Sequence, residues 1–317
     1  MVKTPKITVV IPTLNRPIRT LRAVKSLNDQ TFDGIINCVV VDSSNDKKTE
    51  DELKNAKFSN NKLNLKYLKN NNSNRPIDNW ILGIEEMKTD YGKFLCDDDW
   101  LEKDYIEKCL NIFKNESIDC VISNINIIKE KGHNVQNYYK YSSNKVSKDN
   151  VIDSFLGINN ILPVTPSASL TKTKVLIESF YASLKHIECT KNLFGFDFYM
   201  SYYPVFKSNG TYLINEGLAN SHAGDDSMTL NVKKAKISYC YFFSLINLIE
   251  MKDTKLNRKQ LKVIEHKLAT FKIKTLIDKE YKMLQITHKF KSKLNLIKLF
   301  SSQLKKYYLK VYYLFKK

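Results

Sequence analysis

A chain of 317 residues with 43% hydrophobic content can bury a substantial core, and its 9 glycines and 7 prolines exclude collagen-like or linker-like sequence. The formal net charge is +18, but residues 252–317 carry 19 Lys+Arg against 4 Asp+Glu, or +15 of that total, so residues 1–251 are near balance and need no polyanion partner. The six cysteines (Cys38, Cys96, Cys109, Cys120, Cys189 and Cys240) form no C-x-x-C pair, which argues against structural zinc and for buried free thiols in a reducing compartment.

The first six residues contain no apolar signal-type segment and lead into Ile7-Thr8-Val9-Val10-Ile11, a β-branched run expected as a parallel strand buried on both faces. Pro12 ends the run. Thr13-Leu14-Asn15-Arg16 forms a polar turn, and Pro17 can open a helix carrying Ile18, Leu21, Val24 and Leu27 at helical spacing. Ile35–Val41 is a second buried strand ending at Asp42-Ser43-Ser44, so the opening reads as a βαβ unit. Such sheets bind ligands beyond the carboxyl ends of their strands.

A helix over Glu50–Phe58, a strand over Leu63–Leu68, a polar loop through Arg75 and a helix capped by Asp78 or Asn79 follow. Lys103–Phe113 reads as a helix, Asp119–Ser123 as a strand, Ser167–Leu170 as a strand and Lys172–Phe180 as a helix, while 129–150 shows no clear pattern. Thr211–Ile214 is a strand. Ser221–Ser227, with His222, Asp225 and Asp226, reads as a polar loop. The longest apolar stretch, Tyr239–Met251, contains Ser244, Asn247 and Glu250 and is too short and polar to span a bilayer. The expected location is the cytoplasm.

The most informative stretch is Phe94-Leu95-Cys96-Asp97-Asp98-Asp99-Trp100-Leu101. Adjacent carboxylates raise one another's pKa, so the cluster needs solvation or a cation. Apolar residues box it on both sides, which places it at the mouth of a buried strand. Oxygen ligands there suit Mn²⁺ or Mg²⁺. Further on, Asp197 stands alone among aromatics in Gly195-Phe196-Asp197-Phe198-Tyr199, where desolvation would raise its pKa.

Pro12-Thr13-Leu14-Asn15-Arg16, Gln30-Thr31-Phe32, Val40-Val41-Asp42, Asn79-x-x-x-Gly83 and Asp97-Asp98-Asp99, in that order, resemble the family 2 glycosyltransferases with the GT-A fold. The resemblance covers roughly residues 6–230. It implies a GT-A (Rossmann-like) α/β mixed sheet flanked by helices over 1–232, followed by a helical, basic extension over 233–317. It also implies a nucleotide-diphosphate sugar donor, a divalent metal and inversion at the transferred sugar. On this resemblance Pro12, Thr13, Asn15, Arg16, Asp42, Arg75, Asp97 and Asp98 hold the nucleotide. Asp98, Asp99 and His222 hold the metal, and Asp197 is the base. Ser43 stands where the family's pattern has a second acid, which leaves the nucleotide base open. Trp100, Ser167 and Ser169 are candidates for an acceptor cleft.

Residues 288–317 place Phe290, Leu294, Ile297, Leu304, Tyr308, Val311 and Phe315 on one helical stripe with Lys291, Lys298, Lys305 and Lys306 off it. A basic amphipathic helix of this kind lies on anionic membranes; a protein surface, on the same chain or in a homodimer, is the other place for the stripe. The expected acceptor is a glycan or lipid-linked hydroxyl in bacterial capsule or lipopolysaccharide synthesis at the inner membrane face. The alternatives are a nucleotidyltransferase or other metal-phosphate enzyme, which usually shows a Gly- and Lys/Arg-rich phosphate loop after its first strand, and nucleic-acid binding through the tail, against which the balanced body counts.

Overall fold

A computed structural model of the chain describes residues 5–73, 75–186, 194–224, 234–251 and 254–277. Asp225, Asp226, Cys189 and the 288–317 stripe lie outside the described residues. The other five cysteines are free thiols, four of them buried. The chain divides into two compact units, Met1–Lys252 and Asp253–Lys317. This division falls later than the 232/233 boundary expected from sequence.

The first unit opens with β1 (Ile7–Thr13), α1 (Pro17–Asn28), β2 (Ile36–Asp42), α2 (Lys48–Asn55), β3 (Leu63–Lys69), α3 (Pro76–Glu85) and β4 (Tyr91–Phe94). The first two strands are buried nearly throughout, as β-branched runs covered on both faces should be. β1 lies parallel between β2 and β4, with Thr13 opposite Asp42 and Val10 opposite Phe94, and β3 continues the parallel set beyond β2. The carboxyl ends of β1, β2 and β4 therefore meet at one edge. Pro17 opens α1 as expected. α3 begins two residues earlier than the anticipated Asp78 or Asn79 cap, at Pro76, with no side-chain cap. Its fit against β1 requires Gly83, because a Cβ there would collide with Val10 Cγ1.

β5 (Trp100–Leu101), α4 (Tyr105–Asn115), β6 (Cys120–Lys129), β7 (Asn144–Lys145), α5 (Lys148–Leu156), a 3₁₀ turn (Pro166–Ala168), β8 (Ser169–Lys172), α6 (Thr173–Leu184), α7 (Phe196–Lys207), β9 (Thr211–Ala223) and α8 (Lys234–Met251) complete the unit. Among the described residues nine strands form one mixed sheet, ordered β3-β2-β1-β4-β8-β6-β9-β5 with β7 on β9. This is the expected α/β mixed sheet. α5, within the unassigned 129–150 stretch and just beyond it, is closed by a Ser147–Asn150 capping box and by Gly157 in the left-handed region (φ 76).

β9 departs from the sequence expectation. It does not end at Ile214 but runs to Ala223, parallel to β6, with register shifts around Asn124. Asn215-Glu216-Gly217 looks like a strand end in sequence, yet it is a bulge that Asn124 bridges by donating to Asn215 Oδ1 (3.2 Å). His222 thus sits on a strand and not in a polar loop. α8 packs on α5 and α7 through Tyr241, whose ring meets Phe155 and Phe198. The second unit is described over one helix, α9 (Arg258–Ile277). Among the described residues no helix is long and apolar enough to cross a membrane.

Gly83→Ala forces α3 off β1. We expect a loss of about 1–3 kcal/mol of stability, typical of overpacking, read as a lower midpoint in urea unfolding with an unchanged slope.

Candidate active site

The site is built where β1, β2 and β4 end. After Thr13 the chain turns through Asn15, whose positive φ of 56 lies in a region that asparagine tolerates better than most residues. Asn15 N donates to Ser44 Oγ (2.7 Å), and Ser44 donates through both its N–H (2.8 Å) and its hydroxyl (2.5 Å) to Asp42 Oδ1. Tyr67 OH donates to Asp42 Oδ2 (2.8 Å) and Lys69 Nζ lies 3.6 Å away. Asp42 is fully buried and its oxygens are saturated by the protein, so it braces the cradle wall. Asn79, buried on α3, donates to Thr13 O (3.2 Å) and Ser43 Oγ (3.0 Å) and accepts from Asn70, binding three loops together. Pro12 lies half-buried in β1, paired with Val41.

The three aspartates follow β4 in a turn closed by Asp99 N donating to Cys96 O (3.1 Å). Thr13 Oγ1 donates to Asp97 Oδ2 (2.7 Å), and Arg16 Nη1 spans Asp97 Oδ1 (3.0 Å) and Asp98 Oδ2 (3.2 Å). Burial raises the Asp97 pKa against the pull of Arg16 and Thr13. Arg22 donates to Asp98 O (2.5 Å) while its guanidinium lies 4.0 Å over the Trp100 ring. One face of Trp100 is therefore covered by a cation, and the residue pairs with Asn220 of β9.

Asp99 is buried and accepts from His222 N (3.1 Å), with the Ser167 and Ser221 side chains beside it lowering its pKa against burial. Ser167 Oγ also accepts from Cys96 N (3.1 Å), and Ser167 O accepts from Lys93 Nζ (2.7 Å). Ser167 is thus a brace behind the turn and not part of an acceptor cleft; buried Ser169 donates to Pro166 O. Lys93 is fully buried, 5.0 Å from the Tyr105 ring centroid, and desolvation lowers its pKa to about 7.

The residues fit a hard divalent cation. Oxygens of Asp98 and Asp99 converge with Cys96 Sγ, all within 4.8 Å of one another. Burial and the neighbouring Asp98 raise Asp99 to about 7, so charge there is under-compensated. Burial also holds Cys96 as a thiol, leaving the carboxylates as the ligands that suit Mg²⁺ or Mn²⁺. The His222 ring is not part of this group. Its Nε2 lies 3.2 Å from Glu130, its Nδ1 has no hydrogen-bond partner, and its backbone N is what reaches Asp99. Arg75, also expected at the nucleotide, pairs with Asp78 one turn before Asn79, its side chain 71% exposed.

Asp197 lies in the first turn of α7, half-buried. Phe198 N donates to its Oδ1 (2.9 Å) and Tyr241 OH to its Oδ2 (2.5 Å). Burial raises its pKa, and these hydrogen bonds oppose the rise. Sequence reading missed Tyr241, one aromatic among several in Tyr239–Phe243. It also missed Lys93, although a lone charge inside an apolar strand is a readable signal.

The family model for glycosyl transferase family 2 matches residues 8–180, over half of the chain. Similar solved structures include S. aureus TarS 1-349 in complex with UDP-GlcNAc (TM-score 0.60, 15% identity, 89% of this chain and 76% of that one). The same protein with UDP gives TM-score 0.56 at 18% identity over 90% and 76%. A longer TarS chain gives 0.56 at 17% identity over 90% of this chain and 46% of its own length, so the present chain spans less than half of it. No curated protein matches the chain. At these identities the structural likeness is one of fold.

Asp98 is half-exposed and takes no part in the core, so Asp98→Asn should fold normally. We expect the rise in melting temperature that Mn²⁺ gives the wild-type chain to be largely lost in the variant; an equal rise in both would remove Asp98 from the cation site.

Proposed function

The chain belongs to glycosyl transferase family 2, and on that footing we propose that it moves a sugar, with inversion, from a nucleotide-diphosphate donor to a hydroxyl of a glycan or lipid-linked acceptor. The observation that carries the reading is the joining of the Thr13–Arg16 turn to the aspartate turn through Asp97, at the edge where β1, β2 and β4 end. A UDP-sugar is the first candidate donor, because similarly folded TarS was solved with UDP-GlcNAc and with UDP.

The acceptor hydroxyl is a weak nucleophile at neutral pH, so a carboxylate must take its proton as the new bond forms. Asp197 has that role. The hydroxyl oxygen bonds to the anomeric carbon, the bond from that carbon to the diphosphate oxygen breaks, its electron pair leaves with the diphosphate, and the proton passes to the Asp197 carboxylate. Asp98 and Asp99 would hold a divalent cation, which would supply positive charge against the charge developing on the leaving diphosphate. Thr13, Arg16 and Asn79 hold the walls of the nucleotide cradle, and Arg16 offers a cation at its mouth.

We place the acceptor in a surface polysaccharide such as capsule or lipopolysaccharide, at the cytoplasmic face of the membrane. The support is the basic stripe of residues 288–317. Replacing Lys291, Lys298, Lys305 and Lys306 together by Gln should abolish co-flotation of the full chain with anionic vesicles; undiminished flotation would refute membrane docking by these lysines.

The reaction is tested with the full chain, Mn²⁺ and UDP-GlcNAc, scoring UDP release. Asp197→Asn should keep the donor-induced thermal shift and lose turnover by about 10²–10⁴-fold, the usual contribution of a positioned base. Turnover within a few-fold of wild type would exclude Asp197 as the base. A panel of UDP- and GDP-sugars, none of which raises the melting temperature, would sink the donor class.

A further inference from the structure

The C-terminal helix of the first unit reaches the base. α8 (Lys234–Met251) lies beyond the 8–180 span matched by the family, yet its Tyr241 OH donates to Asp197 Oδ2 at 2.5 Å. The tyrosine ring is held by two aromatic neighbours. Phe155 of α5 meets it edge-on at 6.3 Å and Phe198 of α7 lies at 6.1 Å, while Phe155 itself packs edge-on to Phe198 at 4.6 Å. A phenylalanine would fill the same space. The hydroxyl therefore owes its place to its hydrogen bond, since a buried phenol oxygen needs a partner.

Resting on the reading of Asp197 as the base, we propose that Tyr241 is a positioning residue that holds this carboxylate in place and keeps it ionised. The carboxylate is fixed from two sides. Its Oδ1 accepts the backbone N–H of Phe198 in the first turn of α7, and its Oδ2 accepts the phenol of α8. Both donors favour the charged form, and so does the positive end of the helix. Desolvation favours the neutral form and is the larger effect. Removing one donor tips this balance toward protonation.

Among the described residues, few titratable groups face Asp197. Tyr241 comes from α8, with Cys240 beside it, and Tyr139 comes from the segment between β6 and β7. α5 contributes the uncharged Phe155. Burial pushes the Tyr139 and Tyr241 phenols upward, and Cys240 is buried in the core. Among these groups Asp197 is the carboxylate, so a movement of the acid limb on changing Tyr241 alone reports on Asp197.

The sign follows. Without the phenol the carboxylate protonates at higher pH, so the acid limb of the rate profile moves up. In Tyr241→Phe we expect the limb of kcat/KM for UDP release to rise by roughly one pH unit, the size of one hydrogen bond to a charge. Activity should fall about tenfold below the limb and recover toward wild type at high pH. The donor-induced thermal shift should not change. A merely structural tyrosine would lower activity equally at every pH or leave it alone, and either profile overturns the proposal. If Tyr241→Phe does not fold, 3,5-difluorotyrosine at position 241, a stronger donor with the same shape, should move the limb down; an unmoved limb is again fatal. Asp197→Asn, measured in parallel, separates the two ideas. Retained turnover there removes the base assignment, whereas lost turnover there with superimposed wild-type and Tyr241→Phe profiles removes only the role of Tyr241.

Discussion

Three carboxylates in a row at the end of a buried strand are the constraint from which the rest of the first unit can be understood. Like charges at that spacing repel, and burial adds to the penalty. The fold answers with partners from many separate places. Thr13 and Arg16 come from the end of β1 and the turn after it, Arg22 of α1 reaches the Asp98 carbonyl, Ser167 of the 3₁₀ turn accepts from Cys96 N, and the His222 N–H comes from β9. Each element that ends at this edge is thereby tied to one turn. The proposed cation on Asp98 and Asp99 would complete a neutralisation that the protein leaves unfinished, in keeping with the rise of Asp99 to about 7.

The same logic of partial compensation recurs at Asp197, where a helix N-terminus and a phenol set themselves against desolvation. The contrast with Asp42 is instructive. Asp42 is fully buried, where Asp197 is half-buried, and Ser44 and Tyr67 saturate both its oxygens. A carboxylate so completely satisfied is a strut. One left with spare acceptor capacity and a balanced pKa can do chemistry.

The architecture of the first hundred residues was legible because its signals are local. β-branched runs at Ile7–Ile11 and Ile35–Val41, Pro17 at a helix start and acids after strands each follow from short-range physics. Asp197 was legible as an acid among aromatics. What escaped depends on distant partners. The continuation of β9 past Asn215-Glu216-Gly217 is decided by pairing with β6, so His222 was misplaced in a loop. The same pairing presents the His222 backbone, and not its ring, to Asp99. Arg75, expected at the nucleotide from the family resemblance, pairs with Asp78 one turn away, a contact that spacing alone does not announce. Tyr241 lacks any distinguishing spacing in an aromatic-rich helix, and only the packing of α8 on α7 reveals it.

The long-range parallel pairing of β6 with β9 has a consequence for how the molecule is made. β1 to β4 with α1 to α3 draw most of their contacts from one another, so this half can close soon after it leaves the ribosome, with the outer edge of β4 left for β8. β5 waits: Trp100 and Leu101 find their partners, Asn220 and Ala219, only after more than a hundred further residues are synthesised. Until then a nascent chain carries an open sheet edge beside an acidic turn, and charge at such an edge discourages other chains from adding to it.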